Sequence, residues 1–191
     1  MMCRQTISKY FHPEDQELLS KFREPSTRES AFTGILKKYR EKMYWHIRRM
    51  VVDHEDTNDL LQNIFIKIWK GLENFREDSQ LYTWIYRIAT NECLSFLEQK
   101  KKRMAVSLHS GEGLLAEQIK AEKNFDSGKL EWKLQLAIQE LPEKQRIVFH
   151  LRYYDEMPYH EMSKVLETSE GALKASYHHA VKKIEHFILN H

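Results

Sequence analysis

Apolar residues recur at intervals of three and four along most of this chain, the spacing of one face of an α-helix. In the first half the pattern predicts four helices, which begin near Pro13, Ser26 or Thr27, Asp59 and Leu81. Thr57 is the predicted cap of the third helix and Gly71 its predicted end. The fourth helix ends at a basic cluster, residues 100–103.

The periodic pattern lapses over residues 104–128, which are rich in Ser and Gly and acidic, and returns afterwards. A helix that ends near Pro142 and a second apolar stripe around Leu151 precede a final helix pair. The pattern therefore predicts an all-α protein of two small helical domains, residues 1–103 and 129–191. A flexible acidic linker, residues 104–128, joins them.

The final helix pair, residues 158–188, has the order helix, tight turn, helix. Thr168 and Ser169 offer hydroxyls to cap its second helix. A helix-turn-helix reads duplex DNA by laying its second helix in the major groove. Side chains suited to that task lie on the second helix, at Lys174, Ser176, His178, His179 and Lys182, and Ser169 lies where a helix N-terminus can hold a phosphate.

Charge is distributed unevenly, although the net charge is only +2. Residues 1–103 carry 19 Lys/Arg and 15 Asp/Glu, the linker two and four, and the rest nine of each. Nucleic-acid contacts must therefore come from local clusters. The clearest are residues 100–103 and the Lys/His face of the last helix.

Several function classes lack support in the sequence. Cys3 and Cys93 lie far apart and outside any CxxC pair, and His160-Glu161 has no second histidine at metal-binding spacing. No nucleophile–base pair and no glycine-rich phosphate loop is present, so we expect no enzyme, no metal and no cofactor. No apolar run reaches bilayer length and no signal peptide is apparent, so we expect a cytoplasmic protein without membrane insertion.

Residues 75–103 supply both aromatic and basic side chains, the combination that holds single-stranded DNA by stacking and charge. Phe75 lies in a polar loop without a periodic partner, which favours a functional role. Tyr82 and Arg87 are equally consistent with a structural role.

Three segments of the first half, residues 59–69, 75–79 and 82–91, resemble the first conserved domain of bacterial RNA polymerase sigma factors. The similarity is to the two-domain extracytoplasmic-function group. Residues 141–146, 159–163, 169–174 and 178–184 resemble the second domain of that group. Together the resemblance covers roughly residues 10–188.

The resemblance implies three sites. The helix of residues 59–71 would meet the clamp helices of the largest polymerase subunit through Asp59, Gln62 and Asn63, and the group usually has Glu where this chain has Asn63. The minus-ten promoter element would meet Phe75, Ser79, Tyr82, Arg87, Asn91, Lys100, Lys101, Lys102 and Arg103. The minus-thirty-five element would meet Ser169, Lys174, Ser176, His178, His179 and Lys182.

Members of the group often carry Arg at the positions of Ser176 and His179. Without these arginines, bidentate Arg–guanine contacts cannot form at the two positions. We therefore expect promoter binding that depends less on guanine bases or relies more on DNA shape. The linker would thread through the polymerase cleft that later carries RNA, although a plain flexible spacer explains its composition equally well.

The resulting prediction is a sigma factor that binds core RNA polymerase and directs promoter-specific transcription initiation, with an anti-sigma factor as a further partner. The alternative is a free-standing helix-turn-helix regulator that binds duplex DNA as a dimer. Under that alternative the helix of residues 59–71 and the Phe75 loop have no assigned role.

Overall fold

The computed structural model describes residues 13–106 and 130–190, and within these ranges all regular structure is helical. The helices are α1 (Pro13–Arg23), α2 (Arg28–Val51), α3 (His54–Leu72), α4 (Leu81–Val106), α5 (Leu130–Gln139), α6 (Glu143–Tyr153), α7 (Tyr159–Leu166) and α8 (Glu170–Asn190). The predicted all-α fold is confirmed. The predicted linker lies, except for its first residues, outside the described part of the chain.

Helices α1–α4 form the N-terminal domain, in which α2 packs against α1, α3 and α4. Its innermost side chains repeat at helical spacing: Ile35, Met43 and Ile47 on α2, and Ile64 and Ile68 on α3, each fully buried. Burying one apolar stripe of each helix in this way is what stabilises such a bundle.

The third helix begins at His54, so the predicted start at Asp59 with Thr57 as cap is wrong. The Asp53 carboxylate accepts a hydrogen bond from the Asp56 backbone N–H at 2.9 Å and is the actual cap. Thr57 is buried, and its hydroxyl donates to the Asp53 carbonyl. The first turn is mostly polar, which is why the apolar pattern placed the start too late.

Gly71 does not end α3, which continues to Leu72. Its φ is not positive, so the left-handed conformation of a glycine cap is not used there. Instead, a Cβ at this position would stand 2.8 Å from Cζ2 of Trp84. The glycine is needed because the Trp84 ring lies against the backbone of α3.

Helices α5–α8 form the C-terminal domain, in which α8 packs against α5, α6 and α7. α7 and α8 make the predicted helix-turn-helix, with Glu167 in the left-handed region at φ 50° in the turn. The Ser169 hydroxyl accepts the Ala172 N–H at 3.3 Å, so the predicted cap of α8 is confirmed. α5 ends at Gln139, before Pro142, also as predicted.

The two domains pack against each other, which the apolar pattern did not predict. α4 lies along α7, α2 touches α6, and one apolar cluster runs through both domains. It joins residues such as Ile85 and Tyr86 to Leu151, Met157 and Met162. Apolar residues buried between domains show the same helical spacing as those buried within one domain, so the spacing alone cannot distinguish an interface from a core.

Candidate nucleic-acid interface

An apolar groove of about 1380 Å³ runs between α2 and α3. It is lined mainly by Phe32, Leu36, Tyr44, Leu61, Phe65, Ile66 and Trp69, with Lys37, Arg40 and Glu41 among its polar residues. Ile66 in this lining is 52% exposed, so the groove presents a contiguous apolar surface to solvent. A solvent-facing apolar surface of this kind fits a protein partner.

The three predicted polymerase-binding residues lie on the exposed side of α3. Gln62 lines the groove itself, and Asp59 and Asn63 are exposed on the same helix. At one end of the groove the Trp69 ring packs edge-on against Phe22 and Phe32, with ring centroids 5.2 and 4.8 Å away. This aromatic cluster closes one end of the groove.

The loop between α3 and α4 carries Phe75, whose ring centroid lies 5.0 Å from that of Trp84. Both rings line a pocket of about 480 Å³ together with Ser79 and Arg87. The other positive groups in its wall are Arg76 and Lys164, which sequence reasoning missed. Aromatic surface, a hydroxyl and positive charge are thus combined in one pocket, as a flipped base and its phosphate require.

Two other predicted minus-ten residues lie elsewhere. Tyr82 is only 3% exposed, with its ring centroid 4.4 Å from that of Tyr86, and so belongs to the core. Asn91 is exposed on α4, one turn beyond Arg87, and does not line the pocket.

The basic run at the end of α4 is largely paired with carboxylates. Lys100 contacts Asp56 at 2.7 Å, Lys102 contacts Glu98 at 2.7 Å, and Lys101 pairs with Glu143 of α6. The Lys102 hydrogen bond lowers the pKa of Glu98. Exposed pairs of this kind are weak, so phosphate groups can replace the carboxylates. Arg103 is exposed at the end of the run.

On α8 the predicted duplex-reading side chains face solvent. Lys174, His178 and Lys182 follow one another at intervals of four and so share a helix face, with His179 beside them, and all four are exposed. The Lys174 ammonium lies 3.6 Å from a Glu170 carboxylate oxygen and 5.5 Å from the Tyr159 ring centroid. Ser169 is exposed at the N-terminus of the helix and Ser176 is half-buried.

A polar contact between the domains centres on Asp155, in the loop after α6. Its carboxylate accepts from Arg49 Nη1 at 3.2 Å and the Tyr86 hydroxyl at 3.3 Å, and pairs with His46 Nδ1 at 3.0 Å. The other ring nitrogen of His46 meets the Thr90 hydroxyl at 3.1 Å. Burial, and then the nearby Asp155 charge, raise the pKa of Tyr86 well above its ordinary value.

A second contact between the domains involves Glu161 of α7, which is 2% exposed. Its carboxylate accepts a hydrogen bond from the buried Thr83 hydroxyl of α4. His160 Nε2 and Lys164 Nζ lie 3.2 and 3.3 Å from its other oxygen. The one sequence signal for this contact is an acidic residue directly before the apolar stripe that begins at Met162.

Metal and membrane sites receive no support from the described ranges. Residues 13–106 and 130–190 contain no helix long and apolar enough to cross a membrane. They also bring no three His, Cys, Asp or Glu side chains together in a way that would hold a metal. Cys93 is fully buried, and this burial raises its pKa to about 12.

Comparison with known proteins gives two family matches, one in each domain. Residues 35–103 match the model for sigma-70 region 2, and residues 131–184 match the model for sigma-70 region 4. The first match covers most of the groove lining, the Phe75 loop and the basic run, and the second covers α7 and α8 as far as residue 184.

Curated relatives are similar over nearly the whole chain. The ECF RNA polymerase sigma-E factor of Escherichia coli is 30% identical over 166 residues, which are 82% of this chain and 86% of the relative. The RNA polymerase sigma-H factor of Pseudomonas aeruginosa is 29% identical over 180 residues, 90% of this chain and 92% of the relative.

Solved structures share the fold. CnrH, in complex with the cytosolic domain of CnrY, has a TM-score of 0.66 at 18% identity and covers 92% of this chain and 97% of its own. The sigma factor RpoE from Bartonella quintana, in complex with the anti-sigma factor NepR, has a TM-score of 0.66 at 18% identity, with 82% and 96% covered.

Proposed function

The chain belongs to the extracytoplasmic-function group of RNA polymerase sigma factors, and on that premise we propose that three separate surfaces divide its work in promoter-specific transcription initiation. The observation that carries the proposal is the pocket at the Phe75 loop, which combines stacking surface with positive charge. The alternative, a dimeric duplex-binding regulator, leaves this pocket and the α2–α3 groove without a use.

The first surface is the groove between α2 and α3, with Asp59, Gln62 and Asn63 beside it. We propose that it holds helices of core RNA polymerase. Support comes from its exposed apolar lining and from the packed aromatic cluster at its end. An interface of this kind gains free energy by burying apolar area at its centre, with polar side chains at its rim.

The second surface reads the minus-ten element. Phe75, Ser79 and Arg87 would hold an unstacked base and its backbone, while Asn91 and residues 100–103 would meet the strand further along α4. The ion pairs of Lys100, Lys101 and Lys102 would be exchanged for phosphates. Tyr82 is proposed to act only through the packing of α4, since its ring is buried.

The third surface is α8, which we propose reads the minus-thirty-five element. Lys174, His178, His179 and Lys182 face outward, and Ser169 lies at the helix N-terminus, where a phosphate is favoured. Ser176 is half-buried, so its part in base reading would be small.

We also propose that the chain is not itself a catalyst and that it works in the cytoplasm, where the polymerase and promoters are found. We further propose that an anti-sigma factor binds it and holds it inactive. The similar fold of a sigma factor solved with its anti-sigma factor supports the last point.

The experiment is transcription by purified core polymerase with this chain on fragments of the genome that encodes it. Phe75→Ala is expected to lower initiation about tenfold on a duplex promoter, since a stacked base is worth about 1–3 kcal/mol. On a template whose minus-ten region is already unpaired, the defect should be smaller, because the stacking of Phe75 no longer has to help open the duplex.

Phe187→Ala, which truncates a half-buried phenylalanine packed on the C-terminal apolar cluster and not on the cluster that contains Phe75, is the matched control and should start transcription normally. If both variants lose initiation equally, the loss reflects folding and the proposed role of the pocket fails. If the wild-type chain starts no transcription on any fragment, the proposed function itself fails.

A further inference from the structure

Two adjacent histidines, His178 and His179, lie among lysines on the exposed face of α8. Lys174 precedes His178 by four residues and Lys182 follows it by four, while Lys183 follows His179 by four, so each pair is separated by about one turn. All five side chains are exposed. At 1.5 Å per residue the two outer lysines of the first row lie about 12 Å apart along the helix axis, with an imidazole between them.

Neither imidazole has a partner that fixes its charge within the fold. The two ring centroids lie 6.1 Å apart, and across residues 13–106 and 130–190 neither ring has a hydrogen bond or an ion pair. Two buried histidines differ: His46 pairs with Asp155 at 3.0 Å, and burial lowers the pKa of His150. The histidines of α8 can therefore change charge without disturbing the packing.

We propose that His178 and His179 bind phosphates of the minus-thirty-five duplex as imidazolium ions, so that the proton is a second ligand of this surface and duplex binding strengthens as the pH falls. This coupling rests on the proposed function of α8 and adds the condition under which the helix binds most tightly. A neutral imidazole offers one N–H donor, whereas imidazolium offers two donors and a positive charge.

Positive charge is not in excess on the C-terminal domain. Residues 129–191 carry nine Lys/Arg and nine Asp/Glu. The Lys174 ammonium is shared, because it lies 3.6 Å from a Glu170 carboxylate oxygen and 5.5 Å from the Tyr159 ring centroid. Protonation of both histidines would thus add two charges to a face whose fixed positive charges are three lysines.

Among the described residues, no carboxylate pairs with these two rings. The charged residues of α8 that lie three or four positions from either histidine are the three lysines. α5 packs on α8 through apolar side chains such as Ala137 and Ile138. From α6 and α7, Arg152 lies 5.3 Å from the Tyr159 ring centroid, and that ring meets Lys174 rather than an imidazole. A DNA phosphate would therefore meet no competing protein anion at the rings.

Protonation and phosphate binding favour each other. A nearby negative charge stabilises the charged form of a titratable group, and the coupling between two ligands is reciprocal. Because histidine ordinarily changes charge near pH ~6.5, duplex affinity should rise as the pH falls from ~8 to ~6. Each charged histidine also displaces one more counterion, so the slope of log affinity against log salt should steepen by about 0.9 per histidine.

The test measures duplex binding by the full chain at both pH values. The probe is a rhodamine-labelled duplex of about 20 base pairs, or two helical turns. It is selected from a random pool for binding to the chain at pH ~8, where an ordinary histidine is neutral. Fluorescence anisotropy gives the dissociation constant at several salt concentrations. The wild type is expected to bind about fivefold to tenfold more tightly at pH ~6, with a steeper salt dependence, because two exposed charge contacts are gained.

His178→Gln and His179→Gln remove the titrating group but keep a polar side chain, and each should lose part of the gain at low pH. The double glutamine variant should bind equally at both pH values. The double lysine variant, His178→Lys with His179→Lys, should bind tightly at both, which a folding defect would not allow. His54→Gln, which removes an exposed histidine of the N-terminal domain, is the matched control and should keep the wild-type gain.

Equal wild-type affinity at both pH values would overturn the coupling and leave the proposed role of α8 standing. A gain that persists in the double glutamine variant would also overturn it, since the proton would then bind elsewhere. An equal loss at both pH values in that variant would show that neutral rings make the contact. If the wild type binds no duplex at either pH, the proposed function of α8 fails, and the coupling fails with it.

Discussion

Single polar residues at the edge of an apolar surface decide how well a partner is held, and Asn63 is the clearest case in this chain. It is exposed on α3 beside Gln62, which lines the α2–α3 groove. The resemblance to extracytoplasmic-function sigma factors implies Glu at this position, so the chain lacks one negative charge at the surface that we propose docks on core polymerase.

Asn63→Glu is therefore expected to tighten binding to core polymerase, by up to about fivefold at low salt, because exposed charge pairs are worth about 0.2–1 kcal/mol. The gain should shrink as salt is raised. Titration of a dye-labelled chain with core polymerase measures both effects. Gln99→Glu, which adds the same charge at an exposed position of α4, should leave the affinity unchanged. Equal affinity of Asn63→Glu and the wild type would refute the prediction.

Glu161 and Asp155 are carboxylates that contact the other domain. Each is a charged side chain in a buried setting, and each has a partner in the other domain. Nothing in the spacing of the sequence marks a carboxylate as an interdomain contact, because the partner lies far away along the chain.

At the scale of the element, α8 combines a structural and a binding role at its N-terminus. Ser169 caps the helix through the Ala172 N–H, and the same terminus is proposed to hold a DNA phosphate. The two roles respond differently to charge, because a carboxylate caps a helix well but repels phosphate.

Ser169→Ala is expected to lower the free energy of unfolding by about 1 kcal/mol, the usual cost of a lost cap. Ser169→Asp should keep that stability yet weaken binding to a promoter duplex. Urea unfolding and fluorescence anisotropy measure the two quantities on the same samples. If Ser169→Asp binds the duplex as the wild type does, the terminus does not meet a phosphate.

The first residues of the helices show how accurately the apolar pattern predicts helix positions. It indicated a helix in each described helical segment and placed most of the predicted starts to within a few residues, because each helix buries one stripe. It misplaced the start of α3, because the first turn there is held by the Asp53 cap rather than by apolar contacts.

At the scale of the whole molecule, a buried histidine makes stability depend on pH. His150 of α6 is 2% exposed, and burial, together with His46, Arg146 and Arg49, lowers its pKa well below the ordinary value. Its Nδ1 is buried and has no hydrogen-bond partner among the described residues. The folded chain therefore holds this imidazole neutral.

The unfolded chain takes up the proton near its ordinary pKa of ~6.5, while the folded chain does not. The free energy of unfolding therefore carries no penalty from His150 above pH ~6.5. Below that pH it falls by about 1.4 kcal/mol for each pH unit, as long as His150 stays neutral in the folded chain. His150→Gln removes this group, so its stability should fall less steeply between pH 6.5 and 5 than that of the wild type.

Thermal unfolding of both proteins across this pH range checks the prediction. His186→Gln, which removes an exposed histidine of α8, is the control and should keep the wild-type slope. Identical slopes for all three chains would show that His150 titrates normally in the fold.

The sequence by itself determined the helical class, the two domains and the family, because these depend on local spacing and on residue types in order along the chain. It also offered Phe75, Ser79 and Arg87 as candidates, Phe75 from its place in a polar loop and the other two with the help of the family resemblance. Only the tertiary structure decided that these three share a pocket, that Tyr82 is core, and that Lys164 and Glu161 lie across the same loop. Contacts between distant residues depend on how whole helices pack, and a repeat of three and four residues records only that a face is buried, not what covers it.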